Sequence, residues 1–129
     1  MPLKIELRPG EKLIIAGALI TNGAERARFT IEGEVPILRE KFILSLEKAD
    51  TPCKKIYYII QCMYLSQNPA VLHNEYFTHV RQVMYAAPSI AKLLDHISSL
   101  ILGNNYYEAL KQADSLIQQE AAILARGGG

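Results

Sequence analysis

The sequence predicts an α+β fold: a small antiparallel β unit over residues 1–49, followed by a helical unit of about four helices over residues 50–129. Three observations support this prediction. Apolar residues recur with a period close to two in the first part of the chain and close to 3.6 in the second. The pairs Pro9-Gly10 and Asn22-Gly23 divide the first part into short segments. An almost wholly apolar segment with a helix start signal, residues 50–66, separates the two parts.

The β unit is predicted to form a sheet or a small barrel of four or five strands. Residues 12–20 carry apolar groups at odd and even positions, so we expect one strand covered on both faces, with Gly17 at a bulge or a close backbone approach. Asn22-Gly23 predicts a hairpin turn, and Pro36 indicates an edge strand or a bulge. The predicted strands cover residues 3–8, 12–20, 26–32 and 35–43.

A central helix is predicted over about residues 51–66. Asp50 or Thr51 can cap it, and Pro52 suits the first helical position because its missing N–H would have no partner there. Its side chains are apolar on nearly every side, which is typical of a helix buried within a larger assembly. We therefore expect this helix to lie between the two units, which would make the chain one integrated domain.

Three further helices are predicted from apolar faces at helical spacing. Pro69 opens the first and Pro88 the second, and Asn105 with Glu108 three residues later resembles a capping box that opens the third. The predicted inner faces are Leu72, Tyr76, Val80, Val83 and Ala87; Ile90, Leu93, Leu94, Ile97 and Ile101; and Tyr106, Leu110, Ala113, Ile117 and Leu124.

The overall charge gives no support to nonspecific nucleic-acid binding. The net charge of the 129 residues is +1, and basic and acidic residues are nearly balanced in both parts of the chain. Binding to nucleic acid requires clustered positive charge. Any RNA binding must therefore come from a local cluster, or from a homodimer that brings basic residues together.

The compartment is predicted to be the cytoplasm. We expect no secretory signal, because the first residues lack an apolar core segment, and no membrane association, because no apolar run reaches the length of a bilayer span. Cys53 and Cys62 would be about 13 Å apart along one helix, which is too far for a disulfide between them. Reduced thiols are typical of a cytosolic protein.

No pattern of catalytic residues is present in the sequence. His73, His79 and His96 lack other ligands at metal-binding spacing, and the glycines do not form a phosphate-binding loop. Neither cysteine lies in a nucleophile signature. The prediction is a protein that is not an enzyme and has no cofactor and no metal.

Two basic features suggest an anion-binding surface. Lys54 and Lys55 fall in the first turn of the central helix, where the macrodipole disfavours positive charge, so either an external anion offsets it or the lysines only keep the helix soluble. Arg39 falls on the apolar side of its predicted strand. It is either a rim arginine paired with Glu40 or another carboxylate, or a phosphate- or guanine-recognising group, because its planar donor fork suits both ligands.

The chain contains four segments of a recognisable pattern: MPLKIELRPGEKLIIAGALITNG, VPILREK, DTPCKKIYYIIQCMYL and YYEALKQADSLIQQE. On these segments it resembles the FlbT family of flagellum-biosynthesis regulators, and TPCKKIYY is the most specific part. The resemblance implies post-transcriptional control of flagellin. Members of the family associate with the 5′ untranslated region of flagellin mRNA and lower its translation or stability, or act positively in some species. No catalytic residues carry over.

A second resemblance concerns the β unit alone. Gly10-Glu11 and the segment with Val35, Ile37, Arg39 and Glu40 are similar to the carbon storage regulator (CsrA) family, whose members dimerise and bind messenger leaders along their strand edges. The resemblance implies that Arg39 contacts RNA. It also places Arg8 at a basic position of the first strand. The chain departs from that family at Pro36, at Glu6 and in its helical part.

Two functions are therefore predicted, one leading and one alternative. The leading one is an RNA-associated regulator that binds the flagellin mRNA leader. The alternative is an adaptor that binds flagellin or a companion flagellar regulatory protein, because residues 103–117 read like one helix of a helical-repeat hairpin and tyrosine favours interfaces. The candidate RNA-binding residues are Arg8, Arg39, Lys41, Lys54 and Lys55, and the candidate partner-binding residues are Tyr106 and Tyr107.

Overall fold

Five short β-strands precede four α-helices in the computed structural model, which describes residues 2–127. The predicted α+β class and the predicted order of elements are confirmed. By its internal contacts the chain divides into two compact units, Met1–Ile43 and Leu44–Gly129, which we call the β unit and the helical unit.

The β unit consists of two small antiparallel sheets rather than one. The strands are β1 (Leu3–Leu7), β2 (Lys12–Ile15), β3 (Ala18–Thr21), β4 (Ala27–Ile31) and β5 (Ile37–Arg39). Strands β1 and β4 pair in one sheet, and the other has the order β3-β2-β5. The buried residues Ile5, Leu7 and Leu13 form the core of the β unit, against which partly buried side chains such as Phe29 pack.

Residues 12–20 form a hairpin, so the prediction of one strand covered on both faces was wrong. Ala16 has φ 51° and Gly17 has φ 85°, and a type I′ turn requires positive φ at both central residues. Antiparallel pairing then places Leu13 opposite Ile20, and every residue of β3 is exposed. Apolar residues occur at both odd and even positions of residues 12–20 because the chain reverses at Ala16-Gly17.

The predicted hairpin at Asn22-Gly23 was wrong, because these residues lie in the connection that joins β3 of one sheet to β4 of the other. The Asn22 side-chain amide donates to the carbonyls of Arg8 at 2.8 Å and of Glu25 at 2.9 Å. It therefore fixes the crossing between the two sheets. The predicted last strand is also shorter than expected, since it ends at Arg39 and continues as a 3₁₀ turn over Glu40–Phe42.

The helical unit is organised around α1, at the position of the predicted central helix. The Thr51 hydroxyl caps the helix by accepting from the Lys54 N–H at 3.2 Å. Buried side chains such as Ile56, Ile60 and Met63 let it pack against α2 and α4. The helices are α1 (Pro52–Leu65), α2 (His73–Ala86), α3 (Ala91–Leu102) and α4 (Tyr106–Ala125), and 3₁₀ turns over Pro69–Leu72 and Pro88–Ile90 lead into α2 and α3.

The predicted inner faces are correct at most positions and wrong at the end of α4. Leu124 is 56% exposed, whereas Glu120 on the same helix is buried. The predicted capping box of α4 does not form, because the Asn105 side chain makes no capping hydrogen bond. The buried side chain of Gln61 in α1 makes two hydrogen bonds to the backbone of Leu44. Its side-chain oxygen accepts from the Leu44 N–H at 2.8 Å, and its side-chain amide donates to the Leu44 carbonyl at 3.0 Å.

Candidate functional site

Two arginines of the β unit share one carboxylate. The Glu11 side chain, only 11% exposed, has one oxygen 3.4 Å from Arg8 Nε and the other 3.5 Å from Arg39 Nη2. A guanidinium donor fork is well matched to a carboxylate, so Glu11 holds both arginines in place. One carboxylate balances only one of the two positive charges. We call these three residues the Arg8–Glu11–Arg39 cluster.

The local backbone places each member of this cluster. Arg8 and Glu11 lie on either side of the Pro9-Gly10 turn, in which Gly10 has φ 73° and the Glu11 N–H donates to the Arg8 carbonyl at 3.0 Å. Arg39 is the last residue of β5 and lies opposite Leu13 of β2. Its Nη2 also donates to the Glu6 carbonyl at 3.1 Å, so Arg39 bridges from the second sheet to β1.

The electrostatics of the cluster favour an ionised Glu11. The backbone N–H of Arg8 is the largest cause that holds the Glu11 pKa below its ordinary value, and the Arg8 and Arg39 side chains act in the same direction. Partial desolvation opposes this shift. The carboxylate is therefore charged at neutral pH and keeps the two guanidiniums oriented.

Lys41 lies beside the same cleft. The open cleft of about 350 Å³ is lined by Arg8, Glu11, Arg39, Glu40 and Lys41. Glu40 accepts from the Lys12 N–H at 2.9 Å, and the Lys41 ammonium lies 5.0 Å from the ring centre of Phe42.

The carboxylate that pairs with Arg39 is Glu11 rather than Glu40. The Arg39 side chain is still 39% exposed, so the ion pair does not remove it from solvent. The interpretation of Arg39 as a rim arginine paired with a carboxylate is therefore confirmed, with Glu11 as the partner. Recognition of phosphate or guanine stays a prediction, and the paired arginine keeps donors for it.

Lys54 and Lys55 belong to the helical unit, in the first turn of α1. The Lys54 ammonium lies 3.4 Å from the Asp50 carboxylate, and Lys55 is exposed. The structure thus brings three of the five predicted basic residues, Arg8, Arg39 and Lys41, to one cleft. The other two lie in the other unit.

The reason for expecting an external anion at the start of α1 was wrong, because the helix already has an internal one. The buried Glu120 carboxylate accepts from the Cys53 N–H at 2.9 Å and from the Thr51 hydroxyl. A carboxylate at a helix N-terminus satisfies free N–H groups and the macrodipole. Because Glu120 is distant in sequence, no local pattern identifies it.

The two predicted partner-binding tyrosines have different surroundings. Tyr106 is held inside its own unit: its hydroxyl lies 2.9 Å from His73 Nε2 and donates to the side-chain oxygen Oδ1 of Asn104 at 3.1 Å. Tyr107 is exposed, with its ring centre 5.4 Å from that of Tyr64. Tyr107 is therefore the more accessible of the two for a partner.

Sequence reasoning missed a second pair of arginines that share a carboxylate. On the exposed side of β1 and β4, Glu6 makes ion pairs with Arg26 and with Arg28, the latter at 3.4 Å. Both arginines are recognisable as outward-facing from the alternation of their strand. Their common partner lies on β1 and could be found only from the register Glu6↔Arg28.

Neither thiol is arranged for nucleophilic chemistry. Burial and the nearby Glu120 raise the pKa of Cys53 to about 12, and burial also raises that of Cys62. Such thiols remain protonated and unreactive at neutral pH.

Within residues 2–127, no three His, Cys, Asp or Glu side chains are grouped to bind a metal ion. In the same part of the chain, no helix has the length and apolarity that crossing a bilayer requires.

The fold and this site define a two-unit α+β protein whose β unit carries two pairs of arginines, each pair sharing one carboxylate. A family model described as flagellar protein FlbT matches residues 3–124, and the chain belongs to this family. No solved structure matches the chain.

Curated relatives cover most of the chain. It is 46% identical over 124 residues to a probable flagellum biosynthesis repressor protein FlbT 1 of Bradyrhizobium diazoefficiens, which covers 95% of this chain and 85% of the relative. It is 40% identical to a probable flagellum biosynthesis repressor protein of Rhodopseudomonas palustris, and the match covers 98% of this chain and 100% of the relative. It is 33% identical to the flagellum biosynthesis repressor protein of Caulobacter vibrioides, and that match covers 93% of this chain and 87% of the relative.

Proposed function

We propose that this protein regulates flagellum biosynthesis after transcription, by associating with the 5′ untranslated region of flagellin mRNA and altering its translation or stability. Membership of the FlbT family and the names of the relatives, flagellum biosynthesis repressors, support the flagellar role. The observation that supports RNA as the ligand is the Arg8–Glu11–Arg39 cluster beside Lys41. The protein acts by binding in the cytoplasm, without catalysis and without a cofactor.

The chemistry of the cluster suits RNA better than it suits a simple cation or an apolar ligand. Arg39 is oriented by Glu11 and by the Glu6 carbonyl, so little side-chain freedom is lost when it contacts a ligand. An arginine fork can bind the O6 and N7 atoms of guanine or two phosphate oxygens. Arg8 and Lys41 at the same cleft add positive charge for the backbone of the RNA.

The test is a binding assay with two purified components, the protein and the leader RNA of a flagellin gene. We expect a complex at low salt whose affinity falls steeply as salt is raised, because phosphate contacts release counterions. Sedimentation of the same samples shows whether a homodimer is the binding species. Absence of a complex at low salt would contradict direct RNA binding.

A matched pair of variants shows whether the cleft is responsible. Arg8→Gln/Arg39→Gln removes two charges from the cleft, and Arg81→Gln/Arg126→Gln removes two charges from the helical unit, one in α2 and one directly after α4. We expect the first variant to lose most of its affinity and the second to bind like the unmodified protein. An equal loss in both variants would mean that only total charge matters.

A second candidate function is an adaptor for flagellin or a companion flagellar regulatory protein, with any effect on mRNA indirect. The observation that favours it is a mainly apolar groove of about 590 Å³ in the helical unit, whose lining includes Val83, Ile90, Ile123 and Leu124. Apolar side chains in an open groove are typical of a protein-binding site. Binding of purified flagellin without any RNA shift would favour this function.

A further inference from the structure

We infer that the exposed face of the β1–β4 pair is a second phosphate-binding surface, over which the backbone of a single-stranded RNA continues from the Arg8–Glu11–Arg39 cleft. This inference rests on the proposed RNA binding and extends it to residues that the sequence did not single out. We call Lys4, Glu6, Arg26 and Arg28 the ribbon face.

The first support is a repeated arrangement of charges. Glu6 contacts Arg26 and Arg28 on the ribbon face, just as Glu11 contacts Arg8 and Arg39 in the cleft. In both places one carboxylate holds two guanidiniums and balances one of the two charges. The surplus charge and the remaining N–H donors are left for a ligand, and the Arg28 side chain is 78% exposed.

The second support is that the two clusters meet at one residue. The Glu6 carboxylate contacts Arg26 and Arg28, while its backbone carbonyl accepts from Arg39 Nη2 at 3.1 Å. The last registered pair of the two strands is Leu7↔Ala27, and Arg8 and Arg26 are the next residues beyond it. The ribbon face therefore continues into the cleft. Together they contain six basic and three acidic residues: Lys4, Arg8, Arg26, Arg28, Arg39 and Lys41 against Glu6, Glu11 and Glu40.

The third support is the spacing and polarity of the ribbon face. The pairs Lys4↔Thr30 and Glu6↔Arg28 place four polar, exposed side chains on one face of the strands, where they line an open depression. Ile5 and Phe29 also line this depression, but both pack in the core of the β unit. Residues two apart on a strand are about 7 Å apart, close to the separation of neighbouring phosphates in an extended single strand. A protein interface would be expected to offer a buried apolar or aromatic anchor, and these positions offer none. The observations therefore favour RNA over an acidic protein.

The experiment compares Arg26→Gln/Arg28→Gln with Arg81→Gln/Arg126→Gln, each titrated with the leader RNA and with a shuffled RNA of the same length at several salt concentrations. We expect the ribbon-face variant to bind about 10- to 100-fold more weakly, and equally so for both RNAs, because phosphate contacts carry no base information. The slope of log affinity against log salt should fall by about one to two. The control variant should keep both affinity and slope.

Two further variants separate charge from folding. Arg26→Lys/Arg28→Lys keeps the charge and should retain the salt slope with only a small loss of affinity. Glu6→Gln removes the shared carboxylate and should strengthen binding to both RNAs several-fold. A gain of affinity in a protein whose circular dichroism spectrum is unchanged does not arise from loss of structure, so this variant tests the inference even if the double substitutions destabilise the β unit.

The outcomes distinguish this inference from the proposed function. If the unmodified protein binds neither RNA at low salt, both are overturned. If it binds and the ribbon-face variant keeps its affinity and slope, the ribbon face is overturned and the cleft stands. If the control loses as much as the ribbon-face variant, the ribbon face is overturned because only total charge matters. If a polyglutamate peptide of equal charge competes as well as RNA does, the partner of this face is an acidic protein, and the assignment to RNA is overturned.

Discussion

The two units use glutamate in opposite ways. In the helical unit, the buried Glu120 is surrounded by donors of its own unit, the Cys53 N–H and the Thr51 hydroxyl, and it stabilises the start of α1. In the β unit, Glu11 is partly buried between Arg8 and Arg39 and leaves positive charge in excess. A buried carboxylate that is fully paired supports a fold, whereas a shared carboxylate at the rim orients cations for a ligand.

The same difference appears in the distribution of apolar surface. The helical unit buries a long list of apolar side chains on all four helices. The β unit has a small core and concentrates its arginines on β1, β4 and β5 and the turns next to them. We therefore expect substitutions of charged residues to affect stability in the helical unit and binding in the β unit.

The largest expected effect is on the stability of the helical unit. Glu120→Ala should lower its free energy of unfolding by about 3 kcal/mol, because it leaves the Cys53 N–H and the Thr51 hydroxyl buried without their acceptor. Urea unfolding followed by circular dichroism measures this loss. As a control, Glu108→Ala on the same helix removes a surface ion pair to Lys111 and should leave the midpoint unchanged. Equal midpoints for both variants would show that Glu120 does not cap α1.

The next effect is on binding, and it concerns the β unit. Arg39→Ala should weaken binding to the flagellin leader by about 1–3 kcal/mol, the contribution of a good bidentate contact to a base. It should also reduce discrimination against a shuffled RNA, which an RNA titration by fluorescence anisotropy measures. Unchanged affinity would remove Arg39 from the site, and an equal loss on both RNAs would assign it to the phosphate backbone.

A smaller effect is expected at the β2–β3 turn. Ala16→Asn should raise the free energy of unfolding of the β unit by about 0.5–1 kcal/mol, because asparagine tolerates positive φ better than alanine and Asn-Gly is the preferred type I′ pair. Thermal unfolding and amide exchange of β2 and β3 measure the change. Ala18→Asn, one position beyond the turn, serves as a control and should not stabilise. A destabilised Ala16→Asn protein would contradict the hairpin.

The smallest effect concerns the titration of Glu11. Its pKa is held below the ordinary value of 4.5, so the stabilisation from its ionised form is complete above about pH 4.5 and is lost as the pH falls through the lowered pKa. Titration of the side-chain carboxyl by NMR should give a midpoint below 4.5. In Arg39→Ala the midpoint should rise slightly, and in Arg81→Ala it should not move. A midpoint at or above 4.5 would show that Arg8 and Arg39 do not share this carboxylate.

Local patterns of the sequence predict the elements of this molecule well. The helix start at Pro52, the opening of α2 and α3 after Pro69 and Pro88, and the strand character of residues 3–7 follow from periodicity and from start signals within a few residues. The turn at Ala16-Gly17 was missed because an apolar run shows no polar break where the chain reverses. Gly17 is the local sign of the reversal, and the sequence pattern alone indicates a bulge or a close backbone approach there.

Contacts between distant residues could not be predicted in this way. From the local sequence, Glu120 is expected to lie on the solvent-exposed face of α4. Nothing near it in sequence indicates that it lies against the start of α1. The sharing of Glu6 by Arg26 and Arg28 likewise depends on the pairing of β1 with β4. The Asn22-Gly23 signal predicted a hairpin between the strands on either side of it, which is a different pairing. Arg8, Arg39 and Lys41 were identified from residue type and resemblance, and their common cleft was found only in the structure.

The most direct test of the central claim follows the arginine side chains themselves. In NMR spectra of the guanidinium Nε–Hε groups, titration with the flagellin leader should shift the signals of Arg8 and Arg39 and leave those of Arg81 and Arg126 in place. This result would locate the RNA on the β unit, where shared carboxylates orient the arginines. Shifts confined to Arg81 and Arg126, with Arg8 and Arg39 unmoved at saturating RNA, would contradict the account.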